Sequence, residues 1–111
     1  NVNYNDNEKP EGLWIAGSSW YSRLLSDPAF QDKVKDRFMF FYNNREQLYQ
    51  FIDEYAVYLG PYIDKNEARW HTLNQFLWPN CEVFETYQEH IDSLKKWLRN
   101  RFEWMKENYG L

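Results

Sequence analysis

The sequence predicts an all-α fold, an aromatic-rich bundle of four to five helices. Three observations carry that expectation. Apolar residues recur at helical spacing through most of the chain, nowhere more clearly than in residues 86–109. Capping residues stand where the periodic stretches begin. Aromatic residues make up 21% of the chain, with 6 Trp, 9 Tyr and 8 Phe. Each buried ring removes about 150–250 Å² from water, so a few rings suffice to hold a small bundle.

Residues 1–13 are polar and aperiodic, which predicts an extended or disordered lead before a helical domain over residues 14–111. Leu13, Trp14 and Ile15 are expected to tuck against the bundle. Ser18 or Ser19 caps a short helix near 19–26 that carries Trp20, Tyr21, Leu24 and Leu25. Asp27 and Pro28 mark the next start: aspartate caps, and proline at the first helical position loses nothing by lacking an N–H. That helix is expected over 28–42, with Phe30, Val34, Arg37 and Phe41 on one face. Its end, Phe38 to Tyr42, is apolar all round and predicts burial on several sides.

Asn44 with Gln47 reads as a capping box for a third helix over 45–59, striped by Leu48, Phe51, Ile52, Tyr55 and Leu59. Gly60 and Pro61 are expected to stop or kink it. A shorter helix near 62–70 follows, and Asn66 and Trp70 continue the same stripe if the axis only bends. Residues 71–84 are expected to fold back over the bundle, anchored by Trp78. In the last helix, over 86–109, Thr86 and Glu89 form a capping box and Gly110 supplies a stop. Tyr87, Ile91, Leu94, Leu98, Phe102 and Met105 make its apolar stripe.

The net charge of −4 argues against nucleic acid as partner, because phosphate binding needs a basic patch. A single cysteine, Cys81, rules out an internal disulfide. No apolar run approaches the length that spans a bilayer. The opening NVNYNDNEK has no initiator methionine and no signal-peptide pattern, and reads as a cut within a larger protein.

Candidate chemistry is sparse. His71, Cys81 and His90 are the soft metal ligands, and their spacing matches no zinc pattern. The 4 glycines are scattered singly, so no phosphate-cradling loop is expected. Asp53, Glu54 and Asp64 read as solvated carboxylates. No catalytic residue, cofactor site or metal site is therefore assigned to this chain. Arg101 is the most unusual position. Trp97 stands four residues before it and Trp104 three after, so Arg101 is expected to be mostly buried, with its guanidinium flanked by Trp97 or Trp104. An acidic side chain or helix C-terminal carbonyls would then be its partners. Arg37 lies on an apolar face in the same way.

Three stretches in order carry a resemblance. They are Trp20-Tyr-Ser-Arg-Leu-Leu-Ser-Asp-Pro-Ala-Phe30 with Val34-Lys-Asp-Arg37, then Asn66-Glu-Ala-Arg-Trp70, then Leu94-Lys-Lys-Trp-Leu-Arg-Asn-Arg-Phe-Glu-Trp104. Together they resemble the C-terminal part of the CotH family, named for a spore-coat protein and related to secreted atypical kinases. The resemblance implies that the chain is the helical fragment of a larger kinase-like domain. It implies a non-catalytic role, packing against an upstream core that binds ATP and a divalent metal, in a protein outside the cytoplasm or on the cell surface. No residue here matches the family's lysine and aspartate motifs. Trp20, Arg23, Arg37, Trp70, Trp97, Arg101 and Trp104 are the packing, stapling or interaction positions it singles out. The expected partners are the upstream part of the parent protein and a second copy through an exposed apolar patch. The competing reading is an aromatic-rich module that binds carbohydrate or protein.

Overall fold

The computed structural model describes residues 8–80 and 82–108. Cys81 and the expected stop at Gly110 lie outside them, as do the first seven residues of the lead. The described residues form a short 3₁₀ turn, Trp14–Gly17, and four α-helices, with no strand. The helices are α1 (Ser19–Leu24), α2 (Pro28–Asn43), α3 (Arg45–Trp70) and α4 (Tyr87–Asn108). The chain is thus all-helical and aromatic-rich, as its periodicity predicts. It divides into two compact units, residues 1–45 with 97–111 and residues 46–96.

In the first unit, α2 starts as expected. The Ala29 amide donates to the Asp27 carboxylate at 2.9 Å, and Pro28 occupies the first helical position. Its inward face steps by four through Phe30, Val34, Phe38 and Tyr42, and Phe38 and Tyr42 are buried. Arg37 and Phe41 consequently lie outside, not on the shared face that a three-residue step would give. The Phe38 ring lies 5.9 Å from Tyr42 and 6.2 Å from Phe102 of α4, and these three rings form the centre of the unit. Asn44 caps backward: its side chain donates to the Phe40 carbonyl at 2.7 Å and closes α2.

In the second unit, the expected break at Gly60–Pro61 does not occur, and two expected helices are one. Proline removes an N–H and crowds the carbonyl four residues back, at a cost of about 3 kcal/mol. The seam of Tyr49, Ile52, Ala56, Gly60 and Ile63 continues through the proline, with Tyr49 buried and the others half-buried. Burial along one unbroken seam carries the helix past it. The segment after α3 is pinned by hydrogen bonds at its ends, not by Trp78, which is 78% exposed. The Glu67 carboxylate accepts from the Thr72 and Leu73 amides, at 2.7 and 3.1 Å, and from the Thr72 hydroxyl. The Thr72 hydrogen bond, followed by those of the two amides, holds its pKa below the ordinary 4.5. The Asn74 amide donates to the Phe84 carbonyl at 2.8 Å.

Helix α4 opens on the expected capping box. The Glu89 amide donates to the Thr86 hydroxyl at 3.2 Å, and the Thr86 amide donates back to the Glu89 carboxylate at 2.8 Å. These hydrogen bonds, led by the Thr86 amide, lower the Glu89 pKa as well. Within this unit Lys95 of α4 meets both carboxylate oxygens of Asp53 on α3 at 2.7 Å.

Burial is sparse. Phe38, Tyr42 and Tyr49 are the buried hydrophobic residues among those described, whereas nineteen large apolar residues are exposed. Exposure on that scale is an observation about function, because single exposed apolar residues are ordinary and whole faces of them are not.

Candidate functional site

The first unit gathers its polar chemistry on α4. Trp97, Arg101 and Trp104 stand at i, i+4 and i+7, so one helical face presents all three. The Trp97 indole N–H donates to the Glu8 carbonyl at 2.6 Å. Arg101 donates through Nη1 to the Pro10 carbonyl at 2.8 Å and to the Gly12 carbonyl. Its Cζ lies 5.3 Å from the centre of the Trp104 ring. Residues 8–12 are therefore a strap whose alternate carbonyls, 8, 10 and 12, are read by one helix. Gly12 has φ +92°, and a Cβ there would meet the Trp14 indole at 2.9–3.1 Å. Only glycine fits both the backbone and the contact.

Arg101 is flanked by Trp104 as its position predicts, but it is only half-buried, not mostly buried as expected. The carbonyls it finds are those of the strap, not of a helix C-terminus, and among the described residues no carboxylate is hydrogen-bonded to it. The two carbonyls take the hydrogens of Nη1 and do not cancel the charge.

A second cluster centres on Tyr42. Its hydroxyl donates to Glu103 Oε1 at 3.1 Å and accepts from Lys106 Nζ at 3.1 Å. Arg45 donates to the Tyr42 carbonyl at 2.7 Å and sets its guanidinium 4.1 Å from the ring centre. Lys106 Nζ lies 4.8 Å from the same ring. The Tyr42 hydroxyl, more than Glu103, raises the Lys106 pKa above the ordinary 10.5. None of these four residues stands out in the sequence. The signal that would find them is modest: Tyr42–Arg45 and Glu103–Lys106 are both i,i+3 pairs at facing helix ends.

The remaining sequence candidates are scattered. Trp20 is 80% exposed on α1. Arg23 is exposed, and its carbonyl accepts from the Ser26 hydroxyl at 2.6 Å. Arg37 lies over the Phe40 and Phe41 rings, 5.1 and 5.3 Å from their centres. Trp70, in the second unit, is exposed under Arg69 at 4.9 Å. His71 ends α3 in the left-handed region, φ 49°, and His90 packs edge-on to Phe84 at 4.9 Å. No group of three or more His, Cys, Asp and Glu side chains that fits a metal ion occurs among the described residues. Among them, too, no helix is long and apolar enough to cross a membrane.

Residues 3–105 match the family described as CotH kinase protein, so the chain belongs to the CotH family. No curated protein and no solved structure matches it.

Proposed function

We propose that this chain is the helical, non-catalytic support of a CotH-like protein and packs against a kinase-like ATP-binding core in the preceding part of the same polypeptide. The observation that carries the reading is the exposure of Trp14, Ile15, Phe40 and Phe41 in the first unit, each about half open to solvent. Phe40 and Phe41 pack edge to face at 5.6 Å under Arg37, forming a ready-made aromatic contact. Burying such rings against a partner returns most of what their exposure costs. ATP and the divalent metal belong, on this reading, to the core, and the protein works outside the cytoplasm or on the cell surface. Alone, the chain self-associates through its exposed apolar residues.

Calorimetry separates the roles. The chain alone is expected to give no binding heat with Mg-ATP, and the intact parent is expected to bind it. Micromolar affinity of the chain alone overturns the non-catalytic reading. The exposed Trp20 and Trp78 support a second reading, a carbohydrate- or protein-binding module, which glycan binding by the chain alone would favour.

A further inference from the structure

Helix α3 is apolar on two sides. Its inward seam, Tyr49 to Ile63, lies about 130° around the axis from a second stripe of Phe51, Tyr55, Tyr58 and Tyr62. These four rings stack in a ladder along the helix. Successive centres lie 4.4, 6.1 and 6.1 Å apart. The rings are 51, 51, 65 and 56% exposed. At 100° per residue the stripe continues into Lys65 and Arg69 and is flanked by Glu54. One half of the face is thus aromatic, with one carboxylate, and the other half is cationic. Lys65 Nζ already stands 5.9 Å from the Tyr62 ring.

Such a face is complementary to itself when reversed. We infer that the ladder is a docking surface for a second copy of this chain, with the two α3 helices antiparallel about a two-fold axis between Tyr58 and Tyr62. That register sets Tyr58 opposite the other copy's Tyr62. It brings Lys65 over the other copy's Tyr55 beside Glu54, and Arg69 over the other copy's Phe51. Each copy then makes the same cation–π contacts and one ion pair with its neighbour. Eight half-exposed rings bury about 600–1,000 Å². The flanking side chains bring this to the low end of the usual interface range, about 1,200 Å². An interface of that size is that of a weak, transient dimer. A sugar fits the face less well. It stacks on an open ring face, whereas Phe51 and Tyr55 turn their faces to each other at 4.4 Å.

This inference rests on the self-association reading above and is independent of packing against a kinase core. Sedimentation velocity from 1 to about 500 µM is expected to show a monomer–dimer equilibrium. Tyr58→Arg should abolish it, and Lys65→Glu should weaken it by about tenfold or more. Phe41→Arg, off this face, should leave it intact. All three positions are exposed, and circular dichroism verifies that the variants remain helical. A spin label at Gln50→Cys in a Cys81→Ser background reads the orientation. Antiparallel helices in this register put the two labels about 30 Å apart along the axis, against less than about 20 Å for a parallel pair. A wild type monomeric at every concentration overturns both this inference and the self-association reading. A dimer indifferent to Tyr58→Arg, or broken by Phe41→Arg, overturns the ladder interface alone. Saturable oligosaccharide binding that Tyr58→Arg abolishes in a monomeric wild type assigns the face to sugar instead.

Discussion

Phe38→Ala should destabilise the chain by about 3–5 kcal/mol, the usual cost of removing a buried phenylalanine side chain. Small domains are held by only about 5–15 kcal/mol, so a loss of this size removes a large share of the stability. Phe38 is 6% exposed and touches both other rings at the centre of the first unit, Tyr42 and Phe102. With so few buried residues, no neighbouring core compensates for the cavity. Phe38→Met, which keeps most of the volume, should cost less than about 1.5 kcal/mol. Urea unfolding followed by circular dichroism measures both. Equal midpoints for Phe38→Ala and wild type would remove Phe38 from the core.

Arg101→Ala should cost about 2 kcal/mol. Hydrogen bonds to a charged group contribute about 1.5–3 kcal/mol each, and half-exposure reduces the two that Arg101 makes. The effect should be local as well as global. Amide exchange in residues 8–12 should rise toward that of an unstructured segment, while exchange in α3 rises only by the share that global unfolding carries. Arg101→Lys keeps the charge but loses the planar guanidinium that lies by the Trp104 ring while Nη1 reaches both carbonyls, so it should fall between alanine and wild type. Gly12→Ala should loosen the same strap from the other side, because a Cβ meets Trp14 and the backbone is held at φ +92°. Strap protection unchanged in both Arg101→Ala and Gly12→Ala would show that α4 does not hold it.

What the sequence discloses about the fold is mostly local. The Asp27 cap and the Thr86–Glu89 box are legible because all their atoms lie within four residues, and both form as expected. The strap is not legible: Arg101 and its two carbonyl partners are 91 and 89 residues apart, and a carbonyl leaves no mark in the sequence. Pro61 misleads because a propensity cost of about 3 kcal/mol is visible in the residue and the seam that outweighs it is tertiary. Trp78 misleads in the opposite way. A large ring in a long connection suggests an anchor, yet the Glu67 carboxylate and the Asn74 amide do the pinning. Of the candidate site, the alignment of Trp97, Arg101 and Trp104 follows from helical spacing alone. The Tyr42 cluster depends on how α2 meets α4, which periodicity does not specify.

The apolar exposure ties these observations to function. Among the described residues three hydrophobic side chains are buried and whole aromatic faces are open to water, a pattern that marks interaction surfaces. On the function proposed above, a kinase-like core is the covering element.

Hydroxyl-radical footprinting, comparing the chain alone with the same residues inside the intact parent protein, tests this most directly. The account predicts that Trp14, Ile15, Phe40 and Phe41 are oxidised readily in the isolated chain and become strongly protected in the parent. Phe38 should be protected in both. Equal oxidation of Trp14, Ile15, Phe40 and Phe41 in the two samples would contradict packing against a core.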